Sequence, residues 1–528
     1  MSPTPNHTIP TRVYERRWRT LAVLSLALLI IGLDNTVLNV AMPSLQDELD
    51  ATSSQLQWIN DSYLLVFAGL LLSFGTFGDR FGRKRALQAG TALFGLSSLA
   101  VLLVDTPGQL IGVRALMGAG GALIMPATLS IISNIFPREE RGKAIAVWAG
   151  IASVGIGLGP LLGGLLLEWC SWTSVFLINV PVAVLAFTLA LRLVPESRDP
   201  KPGRFDVPGA LLSTGALVSL VYGVIEAPEQ GWLDPVTLGA FGVAGLLGLA
   251  FFAWEQHTPE PMLDLSYFRR ARFAVGSIAL SLASFSLMGA AFSLTQFLQS
   301  AHGYSALEAG AAMTPLALGL LVGAGTGEKL DQRFGSKKVV AAGLSGLGFS
   351  LLGVLTWSPE MAYWPIGLWF FGLSMNLGWI LGPATNSVMG AVSEDKAGVA
   401  SAMNDLTRQV AGALGVAVIG SITTTLYGNR MEDATAGLPH GAGEAARDTV
   451  GGAVAVADRI PGHAGTSLAD RAADAFTDAM SLGFVGAAAV AFVGWALVMK
   501  FLPARHAQAR REPAVTIAPR PVVAPAAA

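Results

Sequence analysis

The sequence predicts an all-α polytopic membrane protein. Its expected form is two six-helix bundles plus two inserted central helices, fourteen transmembrane helices in all, with both termini cytoplasmic. Three observations lead there. Only 13% of the 528 residues are charged and 52% are hydrophobic before 61 glycines are counted, against about 25% charged in a soluble domain. Apolar windows of the ~20 residues needed to cross a hydrocarbon core recur along the chain, and the mean hydropathy is +0.55. A glycine-rich basic loop after the second window returns in altered form after the tenth.

The windows fall near 20–42, 57–78, 86–104, 108–135, 144–167, 174–194 and 208–226, then 236–255, 273–298, 306–327, 338–357, 362–391, 398–427 and 480–502. The first follows a polar, basic stretch (Arg12, Arg16, Arg17, Arg19), as a signal peptide would. It is longer than the roughly 7–15 residues of a signal core, and further windows follow, so it reads as an uncleaved span. Short cytoplasmic loops collect Lys and Arg. With the amino terminus inside, 28 of the 34 fall in cytoplasmic segments, Arg114 and Arg408 lie within spans, and the other four sit in 428–479. The short external loops carry acids instead, among them Asp47, Glu48, Asp105 and Glu168.

The chain therefore divides into a cytoplasmic segment 1–19, an N-terminal bundle 20–194, and an inserted pair with cytoplasmic loops 195–272. A C-terminal bundle 273–502 follows, interrupted by the external segment 428–479, and then a disordered cytoplasmic tail 503–528. Within the external segment, Ser467 to Met480 reads either as a short amphipathic helix on the outer surface or as solvated loop.

Residues 75–85 read GTFGDRFGRKR and residues 327–338 read GEKLDQRFGSKK. Aligning Gly82 with Gly335 matches Arg80 to Arg333, Phe81 to Phe334 and Lys84 to Lys337, and sets Asp79 against Gln332. Such echoes mark paired bundles in secondary transporters. Positive-inside bias explains Arg80, Arg83 and Lys84, but not Gly75, Gly78, Asp79 and Gly82 at fixed spacing. Glycines admit close backbone approach, and an acid at a helix carboxyl end needs compensation, so this loop is expected to latch one conformation. In the fifth span, Gly155, Gly159, Pro160, Gly163 and Gly164 make a flat, bent face, suited either to tight packing or to rocking.

Ionisable residues inside spans each cost about 2.5–3.5 kcal/mol on insertion scales. Asp34 in span 1, Asp61 in span 2 and Arg114 in span 4 all lie roughly 6–12 Å below the outer face, at 1.5 Å per residue. Arg114 reads as a structural partner of Asp34 or as a group that tunes it. A desolvated carboxylate can hold a proton in one state and release it when a cation approaches, which is the chemistry of exchanging protons for a substrate. Asp405 and Arg408, at i,i+3 in span 13, form an ion pair or a substrate contact. Glu226 and Glu255 sit at span ends and read as interfacial.

The absences narrow the class. No G-x-x-x-x-G-K-[ST] motor motif, H-E-x-x-H, C-x-x-C or G-x-S-x-G occurs. The lone Cys170 excludes an internal disulfide and cysteine metal sites, and a net charge of −2 gives no field for nucleic acid. Neither catalysis, cofactor, metal nor an ATPase subunit is expected; a proton gradient is the expected energy source.

These residues resemble the major facilitator superfamily, and within it the 14-span drug:proton antiporter branch. The resemblance covers nearly the whole chain. LDNTVLNVAMP (33–43) resembles that branch's first-span motif, 75–85 the superfamily's loop motif, and 110–121 the fourth-span motif in which the arginine is implicated in proton transfer. Gly155 to Gly164 resembles the antiporter motif; WTSVFLINVP (172–181), Gln296 to Tyr304 and Arg408-Gln409 are further branch-like stretches. Two positions depart: the branch usually has Asn where Asp405 stands, and Asp61 replaces a commonly uncharged residue, as in some exporters of organic cations.

The resemblance implies a multi-pass protein of a bacterial cytoplasmic membrane that exports amphipathic, cationic compounds in exchange for protons. Asp34 would be the main proton and substrate carboxylate, Asp61 a second acid for cations, and Arg114 the tuning residue. A dedicated exporter of one endogenous metabolite, an uptake permease, and a membrane enzyme or sensor are the rival readings.

Overall fold

In hydrocarbon every backbone N–H and C=O must be satisfied within its own segment or a closed barrel. The computed structural model describes residues 11–198, 206–258, 265–392 and 397–503, and every regular element among them is helical. The expected terminal segments at 1–10 and 504–528 lie outside the described residues.

The first bundle comprises α1 (Thr11–Leu49), α2 (Ser53–Phe81), α3 (Arg83–Ala100), α4 (Pro107–Ile135), α5 (Arg138–Trp169), α6 (Ser174–Leu177) and α7 (Asn179–Leu193). The inserted pair is α8 (Val207–Gln230) and α9 (Pro235–His257). The second bundle holds α10 (Ala271–Gln296), α11 (Ala306–Ala312), α12 (Thr314–Phe334), α13 (Ser336–Gly353), α14 (Tyr363–Met389) and α15 (Ala397–Thr435). It closes with α16 (His440–Asp448), α17 (Val450–Ala457) and α18 (His463–Phe501).

Helix starts follow the sequence chemistry. Thr52 with Gln55, Thr106 with Gln109 and Ser305 with Glu308 form reciprocal capping boxes, and Asp206 and Asp234 cap helices that open with proline nearby. Gly82 and Gly335, at φ +119° and +83°, end α2 and α12 in backbone conformations that side chains rarely adopt.

Among the described residues twelve helices are long and apolar enough to span a membrane, or thirteen with α2, which bends by 53° between Leu71 and Ser73. The sequence reading of fourteen exceeds that count; the difference is α5, of which only Leu158–Trp169 counts as a shorter apolar helix. The window near 20–42 lies within α1, which is described from Thr11, and Ser467 to Met480 is no separate surface helix but the opening turns of α18. Leu468, Ala472, Phe476 and Ala479 are buried there, which holds those turns on the bundle.

The internal echo reappears as packing. In the first bundle α1 packs on α5 and α7, α2 on α4, and α3 on α4 and α7. In the second, α10 packs on α15 and α18, α12 on α14, and α13 on α14 and α18. The two sets correspond helix for helix. Between bundles, α2 meets α15 and α5 meets α11 and α12, contacts that the same correspondence exchanges. Parallel repeats related by an axis along the membrane normal behave in this way. Each bundle keeps its own apolar core, around Phe67, Phe94 and Phe176 in the first and Phe273, Phe370 and Phe484 in the second. The inserted α8 packs on both α2 and α15, while α9 turns most of its surface outward as lipid-facing Leu246 and Leu249.

Candidate functional site

Asp34 on α1 and Arg114 on α4 meet deep in the first bundle. Arg114 Nη1 stands 2.5 Å from Asp34 Oδ2, and the two side chains are 1% or less exposed. Asn179 Nδ2, at the start of α7, donates to the other carboxylate oxygen at 3.2 Å. Arg114 Nε donates to the Ile59 carbonyl of α2 at 3.0 Å, and its guanidinium lies 4.4 Å from the centre of the Tyr63 ring. Four helices thus close on one charge pair. Gly118 makes this possible: a Cβ there would meet the Tyr63 and Phe67 backbone, so α4 can press against α2. A buried charge stripped of its partner costs about 3–5 kcal/mol, so any event that protonates Asp34 must give Arg114 other support. Ile59 and Tyr63 already stand there to supply it.

Asp61 is fully buried but does not join that pair. Ile59 and Tyr63, which touch Arg114, sit two residues to either side of it, roughly 160° around the helix at 3.6 residues per turn. One turn earlier Gln57 Oε1 lies 3.5 Å from Ser421 Oγ of α15, so Asp61 lies on the side of α2 turned toward α15 and α8. Its Oδ1 accepts from Asn60 Nδ2 at 3.2 Å, and its Oδ2 has no partner among the described residues. The two acids and the base share a depth, but Asp61 stands on another face of α2 than the one that meets Arg114.

Asp405 and Arg408 pair along α15 at 3.5 Å, with Arg408 41% exposed. A long contact between neighbours of one helix fixes little else.

The loop between α2 and α3 is braced inside the first bundle. Arg83 Nε donates to Asp79 Oδ1 at 2.7 Å and Nη1 to the Ser130 carbonyl of α4 at 3.5 Å. Lys84 Nζ donates to the Leu191 carbonyl at 2.8 Å. Glu196, which the sequence reading passed over, receives the Lys84 amide and stands 3.7 Å from Arg85. Arg80 lies 5.7 Å over the Phe81 ring, Gly75 abuts Pro126 and Gly78 abuts Ala86. In the second bundle Asp331, not the residue aligned with Asp79, plays the matching part. Ser336 donates to it at 2.7 Å and Asn386 of α14 at 3.5 Å. The four-residue spacing shared by Gly75–Asp79 and Gly327–Asp331 was the available signal; the glycine alignment slipped it by one.

The glycines of α5 divide between two tasks. A Cβ on Gly155, Gly159 or Gly163 would meet α1 at Leu29, Leu33 and Val37. Gly164 instead faces the second bundle, where a Cβ would come within 2.8 Å of Leu307 Cα, and Gly310 returns the contact against Pro160. Gly164→Val is expected to wedge the bundles apart at their outer ends. A cysteine at Ser53, with Cys170 changed to Ser, should then react several-fold faster with an impermeant thiol reagent. An unchanged rate would mean that this approach does not hold the outer side shut.

Hydrogen bonds between the two bundles gather toward the outer ends. Gln299 Nε2 donates to the Val40 carbonyl at 2.8 Å, and Ser53 Oγ and Thr424 Oγ1 share a bond of 2.7 Å. The external segment adds two more: Gln46 bonds Thr449, and the Ser53 amide donates to Asp448 at 3.0 Å. Tyr427 Oη fixes that segment by donating to the Ala446 carbonyl at 2.9 Å. Burial pushes the Asp448 carboxyl above the usual range, opposed by the Ser53 amide. The outer side is closed in this conformation.

The sequence pattern of the Major Facilitator Superfamily matches residues 24–416. The chain is 34% identical over 501 residues to the tetracenomycin C resistance and export protein of Streptomyces glaucescens, covering 93% of each. It is 35% identical over 489 residues to the multidrug efflux pump LfrA of Mycolicibacterium smegmatis, covering 92% of this chain and 97% of that one. The methyl viologen resistance protein SmvA of Salmonella typhimurium is 34% identical over 475 residues, 87% and 93% of the two chains. Among solved structures, an inward-facing bacterial homolog of the human lysosomal transporter Spinster superposes with a TM-score of 0.62 at 18% identity. It covers 92% of this chain and 98% of that one, a likeness of fold alone.

Proposed function

The chain belongs to the Major Facilitator Superfamily, is a multi-pass membrane transporter rather than an enzyme, and from that premise we propose that it exports amphipathic cationic drugs in exchange for protons. The observation that carries the reading is the buried Asp34–Arg114 pair. A carboxylate enclosed by four helices, with one cation and one amide on it, has two stable partners: Arg114 when ionised, or a proton. Exchange between them is a switch that a proton gradient can drive.

Fourteen spans with both termini cytoplasmic complete the reading, α5 being the fourteenth; Arg80, Arg83, Lys84, Lys329, Arg333, Lys337 and Lys338 on one side support it. Transport then runs by alternating access. The outer contacts of Gln46, Ser53, Val40 and Gly164 part while the loop at 75–85 and its counterpart around Asp331 bring the inner ends together. The span-5 glycines let α5 slide on α1 and α11. No cofactor takes part; substrate, protons and lipid are the partners, and no ATPase subunit is required.

Asp61 is the acid for cationic substrates. Its unpartnered oxygen supports that role, as does resemblance to a relative named for resistance to methyl viologen, a dication. Asp61→Asn is expected to cut efflux of dications about tenfold or more, the scale of one lost partly desolvated charge contact, and to spare neutral substrates. Equal loss across all substrates would count against it. A second reading, export of one endogenous antibiotic, is favoured by likeness to a tetracenomycin C export protein. A substrate panel on the purified transporter separates the two.

A further inference from the structure

Glu226 stands near the outer end of α8, at the seam with α2. Its Oε1 accepts from Ser54 Oγ at 2.9 Å and from Trp58 Nε1 at 3.0 Å. Its Oε2 accepts, among the described residues, from the exposed Gln230 at 3.2 Å. Every one of these donors is neutral, and no Lys or Arg among the described residues pairs with this carboxylate. A charge at the membrane boundary that could have pointed into water is instead drawn onto a helix face by an indole. The rings of Trp58 and Tyr222 stand 6.2 Å apart, tilted by 46°, beside it.

We propose that Glu226, Trp58 and Tyr222 form an outer site for the head group of an organic cation, through which substrates pass between Asp61 and the outer medium. The inference rests on the export reading above and adds a site to it.

Four features support it. The seam follows the face of α2 that carries Asp61, one turn deeper than Trp58, so the two acids share a wall. A partly screened carboxylate next to aromatic faces binds quaternary and lipophilic cations by charge and ring quadrupole together. A metal ion is disfavoured there: the site offers a single acid, and no group of three metal-binding side chains gathers among the described residues. Ser421 Oγ also donates to the Val224 carbonyl at 2.7 Å, so α8 lies against α15 as well and feels the seam between bundles.

A purely structural role for Glu226, fastening α8 to α2, makes a different prediction. Glu226→Gln keeps an oxygen acceptor for Ser54 and Trp58, removes the charge, and gives up only the acceptor turned to the exposed Gln230. The test measures efflux of tetraphenylphosphonium and methyl viologen from proteoliposomes holding the full chain, with thermal unfolding followed in parallel. The proposal expects Glu226→Gln to raise KM for both cations about tenfold, with kcat and melting temperature held, and Glu226→Asp to restore part of the loss. Wild-type kinetics in Glu226→Gln, with the wild type exporting both cations, would overturn the outer site and leave the export reading standing. A lowered melting temperature with equal loss of kcat for both cations would overturn it in favour of the fastener. A wild type that moves neither cation would overturn the export reading and this site together.

Discussion

Asp34→Asn is expected to abolish proton-coupled efflux while leaving the protein folded and in the membrane. Asn is the neutral isostere of a protonated Asp34: it can still accept from Asn179, but it can neither release a proton nor neutralise Arg114. The guanidinium keeps the Ile59 carbonyl and the Tyr63 ring, which offset part of the about 3–5 kcal/mol that a stranded buried charge would cost. The variant should therefore fold but stay in one arm of the cycle, with efflux down at least about a hundredfold, equivalent to roughly 2.7 kcal/mol of lost driving interaction. Efflux and membrane level are measured together. Undiminished efflux at a normal level would remove Asp34 from the mechanism.

The second large effect concerns the outer face. A Cβ on Gly451 would lie 2.9 to 3.1 Å from the Gln46 side chain, so cysteines at 46 and 451 fall within reach of a short bifunctional thiol reagent. In a background with the exposed Cys170 changed to Ser, joining them ties α1 of one bundle to α17 of the other. Alternating access requires these ends to separate, so linked protein should transport at background rate and recover on reduction, while each single cysteine stays active. Transport by fully linked protein would mean that α16 and α17 ride with the first bundle and take no part in opening.

Much of this fold was legible because lipid makes the chain's periodicity blunt: apolar windows and basic loops located nearly every helix. Depth put Asp34 and Arg114 in one layer, since both helices start at known loops, but their contact is a matter of packing. Which face of α2 meets α4 is a packing fact, so the separation of Asp61 from that pair was not readable from spacing. The external helices escaped for another reason. At nine and eight residues, α16 and α17 are too short to be stable alone; they form because Tyr427, Gln46 and Ser53 hold them. Asn179 and Glu226 gave weak signals for a similar cause, as one polar residue at a helix end is ordinary until its partners are known. Asp331 was legible in principle, and only an alignment pinned on one glycine hid it.

The most direct test of proton-coupled cation export uses purified protein in liposomes enclosing a pH-sensitive dye. A proton gradient is imposed, and lipophilic cations, neutral drugs and anions are added in turn. Proton flux that starts with cations and vanishes in Asp34→Asn is the predicted result. Cation movement without proton flux, or flux that survives Asp34→Asn, would contradict the account.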